Sequence, residues 1–531
     1  MPLPSLTPAD VRAALLARDE IALLDLREED PFAQSHPLWA ANLPLSHIEL
    51  EAWRRIPRRD TTIVLYGEHG GEDLVPRGAA VLAALGYTRV HALAGGLEGW
   101  TAAGGEVFRD VNVPSKSFGE LVEHERRTPS LSAEEVQALI ATGADAVVVD
   151  ARRFDEYQTM SIPGATSVPG AELVLRAREL APDPATTIVV NCAGRTRSII
   201  GTQSLVNAGV PNPVAALRNG TIGWLLAGQQ LDHGAARRAP AQVAPERLAQ
   251  ARQAAADTAR RAGVVRATPQ ALARWRAEPG RTLYAFDVRT PEDYAAGHLP
   301  GFASAPGGQL VQETDHSVPV RGARIVLVDD DGVRANMTAS WLAQMGWEVY
   351  VLEGAGAFDE RGAALPALPP APDAERLTPA QLSAALADSV VVDLGPGQAH
   401  VRGHIPGAWF AIRAQLRQAI DHLPRADRYV LTSADGVLSP YAAPELQALL
   451  AARGQGTAGV QVLAGGTAAW AAAGLPLETG EPRLATPRTD RYRRPYEGTD
   501  APRAAMQGYL DWEFGLVAQL ARDGTHGLRV L

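Results

Sequence analysis

One cysteine stands among the 531 residues, Cys192, and the residues behind it are the ones that could do chemistry. In VVNCAGRTRSIIG (Val189 to Gly201), an apolar strand ends at Asn191 and a helical pattern begins near Ser198. Between them Cys192, Ala193, Gly194, Arg195, Thr196 and Arg197 must form a tight loop. Such a loop aims backbone N–H groups and a helix N-terminus at the sulfur, which stabilises a thiolate. Gly194 permits the dihedrals a cradle needs. Arg195 and Arg197 are expected to sit on the rim, to lower the thiol pKa from about 8.5 towards neutrality and to dock an anion. Thr196 and Ser198 add hydroxyls, Ser198 as a helix N-cap. A cysteine at a strand end is commonly a small core residue. The Gly, the two Arg and the helix start that follow this one argue instead for a nucleophile.

The elements around the loop recur four times. Apolar runs end in Asp25, Asp150, Asp287 and Asp393, and Arg27, Arg152 and Arg289 follow two residues after the first three. A second apolar strand comes next in each copy. The residue just beyond it lies 42 positions after the Asp in three copies, at Gly67, Cys192 and Asp329, and 40 positions after it at Ser433. A helical pattern ending at Gly follows. Each copy then closes on a Gly-rich segment and an aromatic: Trp100, Trp224, Phe358 and Trp470. Short apolar strands alternating with helices predict an α/β fold with largely parallel, buried sheets. The expected units are 5–110, 128–235, 266–362 and 376–480, with a tail at 485–531. Pro240 to Gly263 reads as a solvated linker helix, and 361–377 as a Pro-stiffened linker.

Asp-x-Arg at the first strand, a GH[IL]PGA loop, a strand ending in Cys and a closing LxGGxxxW together resemble the rhodanese domain. The likeness covers about residues 5–480 in four copies, and the whole chain resembles the multi-domain rhodanese-like sulfurtransferases of bacteria. The resemblance implies four tandem rhodanese-like domains, each a mainly parallel sheet flanked by helices, with a C-terminal helical tail. It also implies that Cys192 is the sulfur-carrying nucleophile, with residues 193–198 as its substrate loop. The mechanism implied is double displacement. The thiolate takes the sulfane sulfur of an anionic donor, thiosulfate first, and passes it from a persulfide to cyanide or a thiol. No cofactor or metal is needed.

Gly67, Asp329 and Ser433 at the matching positions mark the other three copies as inactive. Gly has no nucleophile, Asp329 opens an acidic run with Asp330 and Asp331, and the loop of Ser433 holds no Arg. His69, in the first loop, reads as a solvated residue. The Asp150–Arg152 pair, Gly220 and Trp224 recur in silent copies and read as structural. Met160 and Ser161 replace the Gly-His of the GH[IL]PGA loops, leaving the pocket's shape open.

Two other functions remain open. A sulfur-relay scaffold would use the same cysteine to deliver sulfur to a partner protein. A Cys-dependent phosphatase of the related fold would need a loop one residue longer, with Arg after five intervening residues. Here the fifth is Arg197 itself and Ser198 follows, a cradle better suited to sulfur.

Composition sets the bounds. Apolar residues at 46% and charged residues at 21% describe a globular chain. A net charge of −10 argues against nucleic acid or anionic membrane as partner. No apolar run is long enough to span a bilayer, the N-terminus lacks a secretory pattern, and a single Cys fits a reducing cytoplasm. The 12 His lack ligand-like spacing, and no metal is implied. The tail, with YRRPYEGTD and QGYLDWEFGLVAQLARDG, reads as a helix packed on a domain or a subunit contact, with no chemistry of its own.

Overall fold

Runs such as AVVVD and TIVVN are rich in β-branched residues, which fit a pleated surface covered on both faces. In the computed structural model, which describes residues 3–67, 73–363, 366–498 and 500–531, they form the centre of one of four five-stranded sheets. His69 lies outside the described residues. Every strand pairing in these sheets is parallel. In the second sheet the order is Ser130–Leu131, Val214–Leu217, Thr187–Asn191, Ala146–Asp150, Thr166–Ser167, and the other three repeat it. The register sets Asp150 opposite Asn191, so Cys192 leaves the C-terminal end of a central strand. In open α/β sheets that end is where ligands bind.

Local signals agree with the fold. Capping boxes at Thr7–Asp10, Ser132–Glu135 and Thr378–Gln381 start the first helix of three copies, each satisfying helix N–H groups that otherwise have no partner. Trp100, Trp224 and Trp470 are buried, and each indole N–H donates to the carbonyl six residues on (Glu106, Gln230 and Pro476) at 2.9, 2.6 and 2.8 Å. They are packing residues that lock the close of the first, second and fourth units.

Two expectations change. The helix Pro245–Arg261 is not simply solvated: Ala251, Ala255, Thr258 and Ala259 bury one face, which packs on the helix Arg334–Gln344 of the third domain. The proline-rich segment ends in a strand, Glu375–Leu377, that pairs with Gly459–Leu463 in the fourth sheet. The stretch between the first two copies forms a helix, Val113–Arg126, packed on the helix Thr196–Asn207 that follows the Cys192 loop. The first and third domains share one apolar core, which also takes in Phe118, Leu516 and Leu520.

Candidate functional site

Cys192 is 2% exposed, directly after the strand Thr187–Asn191. The helix begins at Thr196, two residues earlier than the hydropathy pattern indicates, so Ser198 lies in its first turn and is not the cap. Its hydroxyl accepts a hydrogen bond from the Cys192 thiol at 3.4 Å and donates to the Arg195 carbonyl at 2.8 Å. An ionised sulfur would instead receive the Ser198 proton. The chain turns on Gly220, at φ +53°, where a Cβ would stand 2.3 Å from the Cys192 carbonyl oxygen. Thr221 N–H donates to that oxygen at 2.9 Å and Ile222 N–H to Ala193 at 3.1 Å, clamping the loop from below.

The third copy displays what such a loop holds. Asp329, at the position of Cys192, accepts the N–H of Gly332 at 3.0 Å and that of Ala335 at 2.8 Å. Ala335 is the counterpart of Ser198, six residues on. In the third copy the loop N–H groups thus converge on the carboxylate at the position that Cys192 holds in the second. In the fourth copy Ser433 meets Ser439 at 3.3 Å in the same arrangement.

The arginines depart from the expected rim. Arg195 is buried; it donates to both carboxyl oxygens of Glu120 at 2.7 and 2.8 Å, to Glu123, and to Asn219 at 3.0 Å. Its guanidinium also lies 4.2 Å from the Phe514 ring centre. Its donors are turned onto structure rather than onto a substrate. Arg197 forms a two-pronged pair with Glu156, both contacts 2.8 Å. Burial opposes ionisation of Glu156, but the charge and hydrogen bonds of Arg197 prevail and hold it at about 2. Arg152 pairs with Asp150 at 2.7 Å and donates to the Met160 carbonyl, as Arg27 does to Ser35 and Arg289 to Gly297. Ser161 makes the strand-like bridge, to Asp232, that His36, His298 and His404 make in the other copies. The Met160–Ser161 replacement thus leaves this backbone contact intact.

Sequence reasoning missed the tail as part of the site. The helix Arg503–Phe514 packs on Gly220–Leu226 and lays Tyr509 and Glu513 over Gly194. A Cβ at Gly194 would come within 3.2 Å of the Tyr509 ring and 3.5 Å of Glu513 Oε2. Tyr509 OH donates to Glu513 Oε1 at 2.8 Å, while Oε2 is buried without a hydrogen-bond partner. Burial, then the charge of Glu120, pushes the Glu513 carboxyl up to about 8, against the pull of Lys116. Lys116 pairs with Asp110 at 2.8 Å beneath the rings of Tyr496, Tyr509 and Trp512. The available signal was Tyr509 and Glu513 at helical i, i+4 spacing among tail aromatics, but nothing local ties that pair to Cys192.

This cover reverses the expected electrostatics of the thiol. Burial raises the Cys192 pKa, and the charge of Arg197 and the Ser198 hydrogen bonds only partly offset it. Burial thus favours the protonated thiol. Alkylation of Cys192 by a neutral reagent is predicted to speed up as pH rises, with a midpoint above the ordinary thiol value of about 8.5. A midpoint at or below neutrality would contradict the burial argument. Among the described residues, no group of three His, Cys, Asp or Glu is placed to hold a metal ion, and no helix is long and apolar enough to cross a membrane.

Comparison with known proteins matches this geometry. The family model of the rhodanese-like domain matches residues 7–103, 132–227, 268–355 and 378–473. The crystal structure of a thiosulfate sulfurtransferase from Pseudomonas aeruginosa is 62% identical, with a TM-score of 0.96 over 100% of each chain. An HTH-type transcriptional regulator of Mycobacterium tuberculosis is 35% identical over 91 residues, a match that spans 17% of this chain and 39% of the regulator. Four parallel sheets of one strand order, matched in all four places by one family model, mean that the chain belongs to the rhodanese-like domain family, in four tandem copies.

Proposed function

We propose that the chain is a sulfurtransferase whose second domain moves sulfane sulfur through a Cys192 persulfide. The thiolate attacks the outer sulfur of an anionic donor, thiosulfate first. The bond between the two donor sulfurs breaks and sulfite leaves with the electron pair. Cyanide or a thiol then takes the outer sulfur and releases the Cys192 thiolate. The observation that carries this reading is the loop itself: a thiol at the end of a central strand, with Ser198 and the charge of Arg197 beside it. The full-length likeness to a thiosulfate sulfurtransferase supports the same class. Of the loop residues, Arg197 rather than Arg195 is placed to favour the anion, while Ala193, Gly194 and Thr196 supply the backbone of the cradle. A reducing, cytoplasmic setting suits a chain whose single thiol must stay free.

The test is a donor panel of thiosulfate, 3-mercaptopyruvate, glutathione persulfide and polysulfide, with mass spectrometry on Cys192. Thiosulfate should add one sulfur fastest; no addition from any donor would sink the reading. The cover over Cys192 favours one second reading, a relay in which a partner protein opens the tail and collects the sulfur. Steady turnover of thiosulfate and cyanide by the isolated protein would exclude that dependence.

A further inference from the structure

A cavity of about 170 Å³ lies where the first and third domains meet, and none of its lining residues belongs to the second domain or the tail. Sites for drug-sized ligands run to roughly 300–1,000 Å³, so an occupant here is about one ring in size.

The third domain supplies the apolar side. Tyr284 and Phe286 stand two apart on the strand Leu283–Asp287, which puts both on one face of the sheet. Their rings lie 5.9 Å apart and within 8° of parallel, a surface against which a further planar ring packs. The neighbouring strand, Ala303–Ser304, is the edge of this sheet. The hydroxyls of Ser304 and Ser317 line the same cavity and make no hydrogen bond among the described residues.

The first domain supplies the charge. Arg55, 2% exposed, spends its Nε on the His316 carbonyl at 2.7 Å. Its Nη1 donates to the Asn42 carbonyl at 2.7 Å and to Glu51 at 2.8 Å. Nη2 is left buried without a hydrogen-bond partner, and buried donors are normally paired. Tyr284 OH donates to the Arg55 carbonyl at 2.6 Å, tying the aromatic side to the basic one. Arg54 beside it is exposed and makes no hydrogen bond or ion pair among the described residues. The charge of Arg55 holds the His316 imidazole at about 3, so His316 is neutral at neutral pH. Arg55 shares its charge with Glu51. One unshared positive charge, that of Arg54, therefore remains, and it suits one negative charge on the occupant.

We propose that this cavity binds a single-ring aromatic monocarboxylate, with its carboxylate on Arg54 and Arg55 and its ring against Tyr284 and Phe286. The site stands whether or not Cys192 carries sulfur. It gives two domains without a thiol a ligand of their own, held across their boundary. A ligand that touches both domains only in the folded chain also stabilises the fold by mass action.

Benzoate is the probe, titrated calorimetrically into the full-length protein, with a thermal melt of the same samples. The expected result is saturable binding that raises the melting temperature. Acetate, which has the charge without the ring, and benzyl alcohol, which has the ring without the charge, should each bind at least tenfold more weakly. Arg54→Ala should weaken benzoate binding about tenfold or more, because a charged hydrogen bond is lost. Arg54 is exposed and unpaired among the described residues, so the unliganded variant should melt like its parent. Arg89→Ala, at an exposed arginine of the same domain outside the cavity, should change nothing. No benzoate binding, or binding that Arg54→Ala leaves unchanged, overturns the proposal. Acetate or inorganic phosphate binding as tightly as benzoate, and weakened in the same variant, overturns it too, by making the cavity a site for small anions without need of a ring.

Discussion

Cys192→Ser yields a folded protein whose sulfur transfer falls by about a thousandfold or more, the scale seen when a covalent nucleophile is removed. The chain carries its own control for folding. The fourth domain already holds Ser433 at this position, buried, with the Ser439 hydroxyl 3.3 Å away. In the second domain Ser198 offers the same partner, so the new hydroxyl is satisfied and the melting temperature should shift by only a few degrees. No other copy holds a thiol at this position, where Gly67, Asp329 and Ser433 stand. Steady-state turnover of thiosulfate and cyanide, with a thermal melt of the same sample, checks both halves. A variant retaining a tenth of the activity would move the chemistry elsewhere.

The same burial that protects Cys192 also sets a condition on turnover. A thiol raised by desolvation reacts slowly, yet the groups that favour its ionised form are already in place: Arg197, the Ser198 hydroxyl and the Ser198 N–H. Relief of the burial would leave those groups in control and bring the thiolate forward. Tyr509 and Glu513 of the tail lie over the neighbouring Gly194, and the charge of Glu513 acts on the thiol. A buried carboxyl raised to about 8 adds repulsion to that cover whenever it ionises.

What could be read from the residues alone divides by range. The strands, the Asp-x-Arg pair and the closing Trp depend on neighbours within one copy, and the equal spacing of Gly67, Cys192 and Asp329 exposed them. The helix Pro245–Arg261 carried its buried face in plain view, at Ala251, Ala255 and Ala259, but alanine is too weakly apolar to distinguish a packed stripe from a solvated one. The Arg195 reading failed for another reason, and for the same reason the tail, read correctly as a helix packed on a domain, was not tied to the Cys192 loop. Glu120 and Glu123 lie on a helix between two copies, outside the repeat, and Glu513 lies more than three hundred residues from Cys192. No periodicity encodes a contact of that separation. An arginine in a catalytic loop reads as a substrate ligand until its carboxylate partners are found.

Arg195→Ala therefore should damage the fold before it damages donor binding. Removing one member of a buried ion pair leaves the other charge uncompensated, at a cost of roughly 3–5 kcal/mol. Glu120 is the partner left behind, 4% exposed, and burial already raises its carboxyl against the pull of Arg195. Without that pull the folded-state pKa rises further above the unfolded value. The protonated form is then tolerated at low pH, and stability is lost as pH climbs through the folded pKa. The melting temperature of Arg195→Ala should accordingly fall further below the parent at pH 8 than at pH 5. Arg197→Ala should behave otherwise. Its partner Glu156 is 25% exposed and can regain water, so the stability loss is smaller. The Cys192 thiol, however, loses the positive charge that most favours its ionisation, so its alkylation midpoint should move to higher pH. Melts at two pH values and alkylation profiles of both variants distinguish the roles. A pH-independent melt for Arg195→Ala, with an alkylation shift as large as that of Arg197→Ala, would put Arg195 back on the rim.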